Sequence, residues 1–342
     1  MLADRPTESD RRERAGRRFV IGVDLGGTKI LAGAVDTAGV VGRAGLAAVH
    51  RAGRPAPKDS VEAVLETVAD LVAEVGRAVD GRVDAVGFGI PCVIDAGRAA
   101  SSVHLPIVDF PFAEAISERV GLAAFVDNDA NLALLAEHRA GAAAGVRDAV
   151  MLTLGTGIGG GLLIDGEIYR GSRGGAGELG HMVVWADGPD CGPGCPSRGC
   201  LESVASGTAL VREARRLAAD RPESALGRAQ AGGTQITGPL VTRLAEDGDE
   251  AAGLALDRLG RWLGVGLGSI ANIFDPELIV IGGGVIAAGD LILGPARAVL
   301  AARALPPAAT AVRVAAAHFG AESGMLGAAV FAYESINRRT VG

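Results

Sequence analysis

The 342-residue chain has no apolar run approaching the roughly 18 residues that a membrane-spanning helix needs. Its first residues are charged, with no apolar stretch of a secretory leader behind them. Both absences lead to the expectation of a cytoplasmic protein that binds no membrane. A basic excess is also missing: the formal net charge is -7, which gives no general attraction to nucleic acid and favours small-molecule partners. Cysteine is scarce, with four in the chain, and a reducing compartment offers no setting for a disulfide framework. Length pulls the other way, because 342 residues exceed what one hydrophobic core usually serves. Two domains with a cleft between them are expected.

The few cysteines are not scattered. Cys191, Cys195 and Cys200 lie within ten residues of one another, downstream of Glu178-Leu179-Gly180-His181 and just before Glu202. That spacing suits a tetrahedral metal site closed by one imidazole and three thiolates. The plainer alternative is a set of unligated thiols in a Gly/Pro loop. Cys92, far away in sequence, reads as a packed free thiol.

Residues 1–18 are almost entirely charged or small and cannot bury enough apolar surface to offset their ordering entropy, which predicts a disordered tail. An apolar strand from Val20 to Asp24 then leads through Leu25-Gly26-Gly27-Thr28-Lys29 to a second strand, Ile30 to Val35. The design returns about 130 residues later, with a strand from Val150 to Leu154, a Gly155-Thr156-Gly157-Ile158-Gly159-Gly160 turn and a strand from Gly161 to Ile164. Two hairpins over two Gly-rich loops imply two related halves rather than a many-repeat solenoid. Between them, Val61, Val64, Leu65, Val68, Leu71, Val72 and Val75 follow helical spacing, with Asp59 and Glu62 placed as a capping pair. A strand runs from Asp84 to Ile90, and Phe125-Val126 leads into Asp127-Asn128-Asp129-Ala130-Asn131 at the start of a helix reaching about Ala140. Residues 221–237 read as a mobile loop with little chemistry. From Asp249 a long helix carries Gly260, Gly264 and Gly268 on one face, which permits close backbone approach by a neighbour. Leu278 to Ile281 forms a strand into Gly282-Gly283-Gly284, and a last helix starts near Ser323.

Gly-rich loops let backbone N–H groups approach phosphate oxygens. Three of them (Gly26-Gly27-Thr28-Lys29, Gly155-Thr156-Gly157 and Gly282-Gly283-Gly284) suggest a nucleotide held at several points, although any one alone reads as a structural turn. The first joins two strands and lacks the spacing of a P-loop or a dinucleotide fingerprint. Asp24, acidic beside a phosphate loop, makes physical sense with a cation such as magnesium between them, or as a turn residue bonding its own backbone. Asp129 is placed to accept a hydroxyl proton while the amides of Asn128 and Asn131 orient the substrate, or else to cap its helix.

From these residues the chain resembles the ROK sugar kinases of the actin-like ATPase superfamily, over about Phe19 to Ser335. The family signature of spaced glycines ending in Gly-His fits from Leu154 to Gly180-His181. The resemblance implies an α/β fold of two ribonuclease-H-like domains around an interdomain cleft. It places a small domain at 19–126, joined by the C-terminal helix at 323–336, and a large domain with a zinc knot at 127–322. It implies ATP and Mg2+ at Asp24, Gly26 to Lys29, Gly155 to Gly157 and Gly282 to Gly284, and Asp129 as general base. Asn128, Glu178, His181 and Glu202 would bind sugar hydroxyls, and structural Zn2+ would sit on His181, Cys191, Cys195 and Cys200.

Two departures from the family pattern stand out. Three residues rather than one separate Cys191 from Cys195, and His104-Leu105-Pro106 stands where the family often has Asn-Leu-Pro, so His104 either replaces a sugar contact or abolishes it. The activity implied is phosphorylation of the 6-hydroxyl of glucose, in a dimer or tetramer. The resemblance also admits a kinase for N-acetylglucosamine, N-acetylmannosamine or fructose, polyphosphate as donor, a catalytically silent sugar sensor, and a sugar-responsive regulator. For the last, the eighteen charged or small residues ahead of Phe19 are expected to be too few to form a DNA-binding domain.

Overall fold

The structure, a computed structural model, describes residues 16–42, 45–102 and 105–341. Residues 1–15 of the expected tail, and His104, lie outside the described residues. The end of that tail is ordered: Arg18 opens the first strand, and the Arg17 guanidinium bonds Asp36.

The chain divides into two compact units. One takes the described residues of Met1–Gly145, Arg170–Ala176 and Glu322–Gly342; the other takes Val146–Tyr169 and Gly177–Ala321. The boundary expected at 126/127 therefore falls at Gly145/Val146. The physical reason is the C-terminal helix Ser323–Val341, which packs along the helix Asp129–Ala140 and on the first strands, holding that helix in the first unit.

The first unit is built on a five-stranded sheet in the order Ala48–Pro55, Lys29–Asp36, Arg18–Leu25, Arg82–Ile90, Ala123–Asn128. The first three strands are antiparallel and the last two run parallel to Arg18–Leu25. The second unit repeats this order and these directions with Glu167–Ile168, Ile158–Ile164, Ala149–Leu154, Leu278–Gly282 and Arg313–Ala316. The duplication read from the hairpins thus extends to whole sheets.

Helices bury the sheets. In Val61–Arg77 the residues Val64, Leu65, Val68, Leu71, Val72 and Val75 are buried against the first sheet, each contributing about 1.5–3 kcal/mol. A charge at Val68, which is fully buried, would break that face. The helix is capped by Ser60, whose hydroxyl accepts from the Ala63 amide, rather than by the expected Asp59/Glu62 pair. On the other face of the sheet the C-terminal helix touches the strands through glycine: a side chain at Gly22 or Gly87 would lie 1.9 Å from the Met325 or Ala328 carbonyl oxygen.

In the second unit, Gly260 and Gly264 of the helix Glu250–Phe274 meet the backbone of Asp290–Arg303, where an added Cβ would lie 2.5 Å from the Ile292 and Ala296 oxygens. The glycine stripe is a helix contact. Residues 221–237 do not form one loop, because Ser224 caps a helix at Ala225–Ala231 and Thr237 caps another at Gly238–Glu246.

Candidate active site

Parallel strands of the first sheet end together, placing Asp24, Gly89 and Asp127 in register. Ligands of open α/β sheets bind outside such carboxyl ends. The strand Ala123–Asn128 runs straight into the helix Asp129–Ala140, and the N-cap of that helix is Asn128. The Asn128 Oδ1 accepts from the Ala130 and Asn131 amides at 2.9 and 3.2 Å, and its Nδ2 donates to the Cys92 carbonyl at 3.3 Å. Asp129 is therefore not the cap. It is half-buried at the first helical position, with Oδ1 accepting from the Ala130 amide at 2.9 Å.

Two expectations change here. The Asn131 amide does not orient a substrate, since it is buried and turned to Asp127, donating to its Oδ1 at 3.3 Å. The Asn128 amide is engaged with backbone, which leaves one N–H for a ligand. Burial, and secondarily the Asp129 carboxylate, push Asp24 up to about 7. Two acids that disfavour each other's charge are the setting in which a cation or a shared proton is stabilising. The Gly26 to Lys29 turn sits next to Asp24, and Lys58, which sequence reasoning missed, donates to the Gly27 carbonyl.

The second unit carries the other groups. The Gly155 and Thr156 carbonyls accept from the amides of Gly207 (2.8 Å) and Thr208 (3.4 Å), at the start of the helix Gly207–Asp220. Gly283 has φ +85°, and a Cβ there would lie 2.3 Å from the Leu154 carbonyl oxygen, so the triple-glycine loop presses on the end of the strand that leads to Gly155. These loops open into a cavity of about 940 Å³. Gly155, Thr156, Gly207, Thr208 and Gly284 line it, and Leu210, Val211, Pro239 and Val285 give it apolar walls. Backbone amides and a helix N-terminus suit phosphate, and a broad apolar slot suits a flat base. Sequence reasoning missed Gly207, Thr208, Gly238 and Pro239, and the Ser206 and Thr237 caps were the available signal.

His181, Cys191, Cys195 and Cys200 come together, with ligand atoms all within 4.8 Å of one another. Cys195 Sγ lies 3.8 Å from Cys200 Sγ, and Cys191 Sγ lies 3.4 Å from His181 Nδ1. Tetrahedral zinc with Zn–S near 2.3 Å and Zn–N near 2.0 Å would require edges of about 3.8 and 3.5 Å. The donor set fits the metal, and the longer Cys191–Cys195 spacing does not remove Cys191 from it. Glu178 Oε2 lies 3.9 Å from the other imidazole nitrogen. Glu202 Oε2 accepts from the Ile158 amide at 2.7 Å, and its Oε1 lies 3.9 Å from Cys191 Sγ. The carboxylates expected at a sugar thus share one neighbourhood with the cysteine cluster and the second Gly-rich loop.

The two sheets of repeated topology define the actin-like ATPase class of fold. The ROK family model matches residues 20–335, and the chain belongs to that family. A glucokinase of Streptomyces coelicolor is 38% identical over 329 residues, covering 92% of this chain and 98% of the relative. An N-acetylmannosamine kinase of Yersinia pseudotuberculosis is 32% identical over 321 residues, 92% of this chain and 99% of the relative. The crystal structure of a ROK family glucokinase from Streptomyces griseus, in complex with glucose and AMPPNP, is similar with a TM-score of 0.82 and 36% identity, covering 92% of this chain and 99% of that one. Among the described residues no helix is long and apolar enough to cross a membrane.

Proposed function

We propose that the chain is an ATP-dependent sugar kinase that phosphorylates the 6-hydroxyl of glucose. The observation that carries this reading is the likeness, over nearly the whole chain, to a glucokinase crystallised with glucose and an ATP analogue. The nucleotide would take the apolar cavity of the second unit, its phosphates toward the amides of Gly155 to Gly157. Asp129 takes the proton of the 6-hydroxyl, raising the nucleophilicity of an otherwise neutral alcohol, as that oxygen attacks the terminal phosphorus in line and the bond to the bridging oxygen breaks, with ADP leaving. Asp24 is the residue that would hold Mg2+, which when bound neutralises charge on the transferring phosphoryl group. Zinc on His181 and the three cysteines would fix the imidazole tautomer and leave its other nitrogen toward Glu178. Glu178, His181, Glu202 and the remaining Asn128 N–H are proposed to read sugar hydroxyls.

A second reading, a kinase for an N-acetylated hexose, draws on the N-acetylmannosamine kinase relative. A coupled assay over glucose, fructose, N-acetylglucosamine and N-acetylmannosamine, with ATP and then polyphosphate as donor, separates the readings. Glucose with ATP should give the highest kcat/KM, and a higher value for any other pair would replace it.

A further inference from the structure

The ion pair that joins Arg170 to Asp127 bears on the helix start that carries Asp129. The chain enters the first unit at Arg170 and leaves it after Ala176, just before Glu178 and His181. At its entry, Arg170 places Nε and Nη2 at 2.7 and 2.6 Å from one oxygen, Oδ2, of Asp127. Asp127 is 3% exposed, and its other oxygen accepts from the Asn128 amide at 2.7 Å and from Asn131 Nδ2 at 3.3 Å. The guanidinium also lies over the Phe331 ring, 5.6 Å from its centroid. The same excursion is seated on the unit at Gly174, where φ is +73° and a Cβ would fall 1.9 Å from the Ile94 carbonyl oxygen.

A buried carboxylate is tolerated when it is paired and hydrogen-bonded. Here the pairing group comes from 43 residues away, while the hydrogen bonds come from Asn128, which immediately precedes Asp129, and from Asn131, two residues after it. Asp127 thereby converts the position of Arg170 into the backbone position of Asn128 and the helix start. We infer that Arg170 is a positioning residue for phosphoryl transfer, acting through Asp127 to hold Asp129 in line with its substrate hydroxyl. This rests on the reading of Asp129 as general base. Arginine suits the task because its planar fork fixes direction as well as charge, which a lysine ammonium does not.

The test measures kcat and KM for glucose and ATP-Mg in the full-length protein, for Arg170→Met, Arg170→Lys, Asp129→Asn and the double variant Arg170→Met/Asp129→Asn. A misplacement of the base by an ångström costs about a hundredfold in rate. Arg170→Met should lower kcat by about that factor with KM for ATP little changed, and Arg170→Lys should fall in between. Added to Asp129→Asn, Arg170→Met should cost little more, because the group it positions is already gone. A folded Arg170→Met with kcat near that of wild type would overturn the inference, as would an equal loss in both backgrounds, which marks a general structural role. If circular dichroism shows Arg170→Met unfolded, the comparison of Arg170→Lys with and without Asp129→Asn decides by the same criteria. Normal turnover by Asp129→Asn sinks the general-base reading and, with it, this inference; a dead Asp129→Asn beside a normal Arg170→Met sinks the inference alone.

Discussion

Glu202 accepts a hydrogen bond from the Ile158 amide at 2.7 Å across 44 residues of sequence. The contact ties the segment following the cysteine cluster to the strand that leaves the second Gly-rich loop. A Cβ at Gly157 would lie 2.2 Å from the same Glu202 oxygen, so loop and carboxylate admit nothing between them. Glu202→Gln keeps the size but replaces one oxygen by an NH2 group that cannot accept from Ile158 if turned toward it. Glucose KM is expected to rise about tenfold in steady-state kinetics, on the scale of losing one hydrogen bond to a charged group.

Asp129→Asn should lower phosphoryl transfer by at least about a hundredfold while glucose binding by calorimetry is largely kept, the scale of losing a general base. Near-normal turnover would remove Asp129 from that role.

Removal of zinc by a chelator, or Cys195→Ser, should abolish stoichiometric zinc by elemental analysis and collapse glucose affinity. The chain's two tryptophans report on the same event. Trp185, in the cysteine-rich segment, stacks on Trp262 of the helix Glu250–Phe274 with centroids 5.4 Å apart and planes at 9°. Loss of the metal should therefore change tryptophan fluorescence in step with zinc release. Unchanged zinc content in Cys195→Ser would contradict the metal site.

Asp24 has its folded value raised from 3.8 to about 7, so folding takes up a proton in that window. Its contribution to stability is fully present below about pH 4 and is lost as pH rises through about 7. Asp24→Asn should remove this component, flattening Tm between those limits in thermal scans. Saturating Mg2+ should flatten it in the wild type as well, because a bound cation favours the carboxylate. A pH profile of Tm identical in wild type and Asp24→Asn would show that the acid ionises freely.

Gly283→Ala should destabilise the second unit by about 1–3 kcal/mol, since alanine at φ +85° is strained and its Cβ would meet the Leu154 carbonyl. ATP-analogue affinity should fall with it, as calorimetry would show. A variant as stable as wild type, with unchanged affinity, would mean that this loop relaxes freely.

Much of the framework was legible in the sequence where the pattern is local. Alternating and helical periods marked the strands at 20–24 and 150–154 and the helix from Val61, and the Gly-rich hairpins announced the duplication. The clustered cysteines were legible as a group that comes together, because side chains within ten residues of one another can converge with little help from the rest of the fold. Where two local cues competed, the reading slipped: Ser60 caps the helix that Asp59 and Glu62 were expected to cap, and the polar, Gly-rich stretch at 221–237 holds a helix capped by Ser224.

By itself, then, the sequence determined periodicity, turn chemistry, the clustering of three cysteines near one histidine and membership of the ROK family, because each depends on neighbours a few residues apart. Tertiary structure alone decided that Asn128 rather than Asp129 caps its helix, that Arg170 secures Asp127, and that Gly207, Pro239 and Val285 share the walls of one cavity. It also moved the unit boundary to Gly145, by laying the C-terminal helix along Asp129–Ala140. These pairings join groups tens to hundreds of residues apart, and their partners are selected by the packing of sheets and helices, which no local spacing encodes.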